Sequence, residues 1–273
     1  MNTILIPETS QLPDHEATKV FSAVISLAEK RQALYLLDPP QSILSVQRNK
    51  DLSVWIRAHR VLQHPNVVAY VPRVLVRSTT LTSKLVTIPA SGTMAGVYAR
   101  IDHARGVWRS PAGTESRLLG VEGLDPLLTS KNFTILTRAN INVLKKVSSS
   151  AFAAWGARTL SARSEWKYIA VRRTALFLEQ SLRKGLTWTV FEPNNAILWA
   201  TICQIVKQFL QDLFRRGAFQ GTRAKDAYFV KCGRTTMTAA EQTAGTLNVL
   251  VGFAPLKPAE FIILNIQLQA RTP

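Results

Sequence analysis

From Leu198 to Leu213 the apolar residues Leu198, Ile202, Ile205, Phe209 and Leu213 step by four, three, four and four. That spacing brings them to one face only in an α-helix, and Gly217 supplies a stop. Further on, Leu247, Val249, Val251 and Phe253 alternate within Thr246 to Ala254, the period of a strand with one buried face. A chain carrying both periods in succession has to lay helices on a sheet.

The rest of the sequence repeats the alternation. Helical spacing runs from Ala17 to Lys30, through Val97 and Ile101 after the turn at Pro89–Thr93, and through Val171, Ala175, Leu178 and Leu182 up to Gly185. Short extended runs lie at Ala33–Leu37, Leu85–Ile88, Ile141–Val147, Phe152–Ala157, Thr187–Phe191 and Ala227–Cys232. The Val-rich run Val67–Val76 contains Pro72, which predicts an edge or bulged strand. Pro193-Asn194 is a turn placed to cap the helix that follows. The class expected is α/β (α+β): a mixed sheet flanked by helices, with extended N- and C-terminal arms.

Composition narrows function. Of 273 residues, 34 are Lys or Arg and 17 Asp or Glu, a net charge of +17. Such a chain seeks an anionic surface. The basic residues stand singly or in pairs (Arg172-Arg173, Arg183-Lys184, Arg215-Arg216), unlike a nucleic-acid-binding arm. A basic nucleic-acid-binding protein is the alternative reading, and Trp166-Lys167 the pair that invites it. No apolar run is long enough to span a membrane, and the N-terminus lacks the pattern of a secretory signal. No phosphate loop, GxGxxG turn or HExxH occurs. His15, His59, His64 and His103 have no metal-ligand spacing, and Cys203 and Cys232 read as packed thiols. Asp38 at a strand end and the pair Asp102-His103 are the only enzyme-like placements, and no nucleophile accompanies them. No catalytic residue, metal or cofactor is expected.

Several longer stretches, in order, carry a resemblance. These are LYLLDPP (34–40), GVYARIDHARGVWRSPAG (96–113), WGARTLSARSEWKYIAVRR (155–173), LTWTVFEPNNAILW (186–199), AYFVKCGRTTMT (227–238) and VGFAPLKPAEFIILNIQ (251–267). Together they resemble the contractile tail sheath proteins of phages and extracellular contractile injection systems. The match covers about residues 17 to 273. Gly233 stands where the family usually has Asp, Ser148–Ser150 replace a glycine-rich turn, AAEQTAG (239–245) replaces the family's segment there, and the N-terminal region is short.

The resemblance implies a non-enzymatic structural subunit, built into a helical homo-oligomer of six-fold rings around an inner tube protein. Sheath paralogues, baseplate and cap proteins would be the other partners, with no membrane, and assembly would take place in the bacterial cytoplasm. It also implies arms: residues 1–16 at the N-terminus and 260–273 at the C-terminus, around an N-terminal core part (17–90) and a sheath domain (91–259). The residues expected to link subunits are Ile4, Leu5, Ile6, Phe261, Ile263, Asn265, Gln267 and Gln269. The C-terminal half of that set has its own basis, because a terminal strand with unpaired backbone is a template for another chain. Lys207, Arg215, Arg216, Lys231, Arg234 and Glu241 are the candidates to face an acidic tube.

Overall fold

The computed structural model describes residues 2–43, 49–78, 84–149, 151–256 and 262–271. The chain divides into two compact units, Met1–Arg173 and Thr174–Pro273.

The first unit is built on a five-stranded sheet ordered β1-β2-β3-β7-β8. Its strands are β1 (Thr3–Leu5), β2 (Leu34–Leu37), β3 (Val67–Val71), β7 (Asn142–Ser148) and β8 (Ala151–Trp155). The first four run parallel and β8 closes the edge antiparallel. Strands β2 and β3 are buried at every position, as parallel strands covered on both faces must be. Helices α1 (Asp14–Lys30), α2 (Asn49–Ala58) and α4 (Ser130–Arg138) cover one face. There Phe21, Leu52 and Leu136 meet Tyr35, Leu37, Val67, Ala69 and Val143. Helix α3 (Ser91–Arg105) also touches β1 and β2, and its Tyr98 hydroxyl lies 3.0 Å from that of Tyr70 on β3. A second, antiparallel sheet has the order β5-β4-β6, from β4 (Arg73–Arg77), β5 (Leu85–Ile88) and β6 (Val121–Asp125).

Pro72 does not make its run an edge strand. It separates β3, an interior strand of the large sheet, from β4 in the small one. Proline has no N–H, so the ladder breaks there and the chain changes sheet. The division expected at residue 90 falls inside the first unit, because β7 and β8 return to pair alongside β3.

Helix α5 (Ile169–Gly185) leads into the second unit, followed by α6 (Ala196–Arg215), α7 (Ala224–Ala227) and α8 (Ala239–Thr243). The sheet here is β11-β10-β9, made of β9 (Tyr228–Cys232), β10 (Thr246–Phe253) and β11 (Ile262–Gln269). Leu247, Val249, Val251 and Phe253 are each fully buried, as their alternation requires. Phe219 joins Phe253 at 5.7 Å and Tyr228 at 6.1 Å to close the core at that end.

Three local readings change. Thr187–Phe191 is a 3-10 turn rather than a strand. The hydroxyls of Thr187 and Thr189 donate back to the carbonyls of Lys184 and Leu186, and such local bonds compete with a ladder. The cap of α6 is Asn195, whose side chain accepts from the Ile197 and Leu198 amides at 3.0 Å. Its neighbour Asn194 is buried and accepts from the Trp199 indole at 2.8 Å. The buried stripe of α6 runs through Leu198, Trp199, Ile202, Val206, Leu210 and Leu213, leaving Ile205 at 41% exposure. Gly217 ends the helix as expected, at φ 76°.

Candidate assembly surface

Strand β11 pairs antiparallel with β10 along its whole length, from Thr246 opposite Gln269 to Phe253 opposite Ile262. Ile262, Leu264 and Ile266 point into the core, while Ile263, Asn265, Gln267 and Gln269 are exposed. Partners across a sheet share a face. Ile263, Asn265, Gln267 and Gln269 therefore line up with Gly252, Leu250, Asn248 and Thr246 on β10, and with Phe229 and Lys231 on β9. The Lys231 ammonium sits 5.7 Å from the Phe229 ring centre. Within the single chain, then, the expected C-terminal arm is an edge strand of its own sheet. Phe261 lies outside the described residues.

The outward edge of β11 is partly occupied. Thr189 Oγ1 donates to the Gln269 carbonyl at 3.1 Å, and Arg183 Nη1 to the Gln267 carbonyl at 3.3 Å. Past the end of the strand, Arg271 bridges to Pro193. Ile263 and Asn265 lie beyond these contacts, and Ile263 is 56% exposed.

Glu241 caps a short helix. Its carboxylate accepts from the Thr238 amide at 2.8 Å and from the Asn248 side chain at 3.2 Å, a capping box for α8. The Thr238 amide and hydroxyl hold its pKa below the usual carboxylate value, as bonds to the charged form do. Lys207 and Arg215 are exposed on α6, and Arg216 is exposed at its C-cap, with Arg215 3.8 Å from Asp212. Arg234 is exposed in the turn after Gly233. Gly233 adopts φ 134°, and a Cβ there would stand 3.3 Å from the Trp199 ring. A residue with a side chain would be strained at that position.

In the first unit Ile4 and Ile6 pack on the core formed by α1, β2 and β3, and Leu5 is 36% exposed. The N-terminal segment is thus laid along the body as a three-residue edge strand.

The enzyme-like placements separate. Asp102 does not engage His103; both its oxygens accept from Arg173 Nη2, at 2.7 and 2.6 Å. Arg173 is 1% exposed and stacks over Tyr98 at 4.4 Å. Asp38 accepts from the Ser91 amide at 3.1 Å, at the N-terminus of α3. Its pKa is raised, chiefly by burial. His59 and His64 tie the chain after α2 to α1, through Asp14 at 3.2 Å and Glu29 at 2.9 Å. His15 and His103 are exposed. Cys203 and Cys232 are free and half-buried, and burial pushes the Cys232 thiol up to about 12. Of the tryptophans, Trp199 is buried, Trp166 lies under the Arg172 guanidinium at 4.7 Å, and Trp155 is exposed, which core packing does not explain. Among the described residues no group of His, Cys, Asp and Glu could hold a metal ion, and no helix is long and apolar enough to cross a membrane.

Comparison with known proteins follows the same pattern. Residues 161–269 match the family described as phage tail sheath C-terminal domain. A putative prophage major tail sheath protein of Pseudomonas aeruginosa (strain UCBPP-PA14) is 26% identical over 219 residues, 78% of this chain and 53% of that protein. This chain therefore spans about half the length of that curated relative. Two structures solved by electron cryomicroscopy are each 31% identical over 90% of the chain. One is the sheath complex of the PVC extracellular contractile injection system in its contracted state, with TM-score 0.74 and 67% of that chain covered. The other is the baseplate of the anti-feeding prophage, with TM-score 0.73 and 63% covered. On motif order, fold and these likenesses together, the chain belongs to the contractile tail sheath family.

Proposed function

We propose that this chain is a structural subunit of a contractile sheath, polymerising helically around an inner tube and shortening to drive the tube through a target envelope. The observation that carries the reading is the likeness over 90% of the chain to a sheath complex in its contracted state. Assembly takes place in the bacterial cytoplasm, with the subunit meeting its own copies, sheath paralogues, a tube protein, and baseplate and cap proteins. No step calls for a nucleotide or a catalytic group: rigid cores turn while connecting strands hold neighbours together.

Strand β11 and the segment around Ile4–Ile6 are the connections. The ladder of β10 with β11 has the same bonds whether β11 comes from the same chain or from a neighbour, so exchange leaves the pairing energy nearly unchanged. Main-chain bonds supply affinity and the alternating buried Ile262, Leu264 and Ile266 fix register. The basic residues of α6 and β9 face the tube, where each exposed ion pair contributes ~0.5 kcal/mol.

Electron microscopy of the purified protein, alone and with its tube protein, should show helical sheaths; monomers under both conditions refute the reading. The strand exchange has its own test. Asn248 and Gln267 lie directly opposite each other, in a pair whose side chains approach closely. With Cys203 and Cys232 replaced by serine, subunits carrying only Asn248→Cys are mixed with subunits carrying only Gln267→Cys before assembly. A disulfide between subunits in the sheath supports exchange. Its absence there, with the double variant closing the bond within one chain, leaves β11 at home.

A further inference from the structure

Three clefts open along α4 in the first unit. One lies between Phe133 of that helix and Leu144, Lys145 and Lys146 of β7, with Leu127 at its mouth. A second, of about 430 Å³, is formed by Thr137, Trp155, Gly156 and Arg158. The third has Arg57 and Arg138 on its rim. Two features recur. No side chain lining any of the three is acidic. Large apolar groups stand open beside the cations: Leu127 is 67% and Trp155 47% exposed. The Lys145 ammonium rests 3.4 Å from the Trp155 ring centre, and Arg158 Nη1 donates to the Thr137 carbonyl at 2.9 Å, so both cations are held in place. Among the described residues, Lys146, Arg57 and Arg138 have no acidic partner.

We infer that the first two clefts, joined by the contact of Lys145 with Trp155, form a docking surface for an acidic segment of another protein, one that alternates carboxylates with leucine- or phenylalanine-like side chains. The carboxylates meet Lys145, Lys146 and Arg158, and the apolar side chains enter beside Leu127, Phe133 and Trp155. Burying apolar area supplies affinity while the cations set orientation and on-rate. The occupant is not a second copy. This chain carries +17, and its 17 acidic residues never stand side by side in sequence, so a copy has no acidic segment to offer. Nucleic acid has no aliphatic side chains for the Leu127 cleft, which favours protein. The surface uses no residue of β11 or α6, and the inference stands whether or not the chain forms a sheath.

The test uses the full-length protein and a fluorescein-labelled peptide alternating glutamate with leucine and phenylalanine, followed by fluorescence anisotropy at 0.15 M salt. Lys145→Glu with Lys146→Glu should weaken binding at least tenfold, and Leu127→Ser, at an exposed position, at least threefold. Lys19→Glu with Lys30→Glu makes the same change of charge on exposed α1 positions and should cost less than threefold. A thermal melt confirms that each variant is folded. Equal losses in the two charge-reversed variants would mean attraction to net charge alone and overturn the proposal. So would undetectable binding by the wild-type protein, unchanged binding by Leu127→Ser, or displacement of the peptide by duplex DNA as readily as by unlabelled peptide.

Discussion

Arg173 shows how much one buried charge can fix. Its guanidinium is almost wholly enclosed, yet it is neutralised by Asp102 and laid over Tyr98. Removing one member of such a pair leaves the other charged and desolvated, which costs about 3–5 kcal/mol. Asp102→Asn is expected to lower stability by about 3 kcal/mol in urea unfolding, whereas His103→Ala, at an exposed neighbour, should fall within about 0.5 kcal/mol. Asp38 carries a different cost. Burial raises its pKa from 3.8, so the folded state holds its proton more tightly than the unfolded chain does. The sign follows from linkage: the penalty is absent below pH 3.8, grows as pH rises toward the raised value and is constant above it. Asp38→Asn keeps an oxygen for the Ser91 amide and cannot ionise. Its melting temperature relative to wild type should therefore rise between acidic and neutral pH; a constant difference would show that Asp38 titrates normally.

At the scale of elements, burial separates residues that share one helical pattern. On α6, Leu210 is fully buried and Ile205 is 41% exposed. Leu210→Ala should cost about 2–5 kcal/mol, Ile205→Ala no more than about 1 kcal/mol, as read by chemical denaturation of the two variants. A reversed order would place the α6 core face on the stripe that spacing alone suggests. Strand β11 behaves likewise: its inward side chains belong to the sheet, and its outward ones are free to meet a partner.

For the whole molecule the governing quantity is charge. Copies bearing +17 repel one another, and self-repulsion opposes any assembly of like subunits. Screening shortens its reach from about 10 Å at 0.1 M salt to about 3 Å at 1 M. Sedimentation of the protein without a tube should therefore show more self-association as salt is raised. With an acidic tube present the dependence should weaken or reverse, because the tube supplies the countercharge.

Much was legible from residues alone. Alternation in Thr246 to Ala254, the buried strand ended by Asp38-Pro39-Pro40 and the helix stopped by Gly217 are each dictated by side-chain period or backbone restriction, which act over a few neighbours. The family was legible too, because several motifs in order leave little room for another chain. What escaped depended on partners distant in sequence. Asp102 looks like half of a dyad until Arg173 arrives from α5. Glu241 is the exception, because Thr238 three residues before it makes a capping box that local spacing already carries. Pro72 looks like an edge until β7 pairs with β3. Trp155 looks like core until its sheet edge leaves it open beside Lys145. Local spacing states which side of an element is apolar; only the packed chain decides which charges meet, since a charge in a fold is stabilised or penalised by whatever the other elements bring within a few ångströms of it.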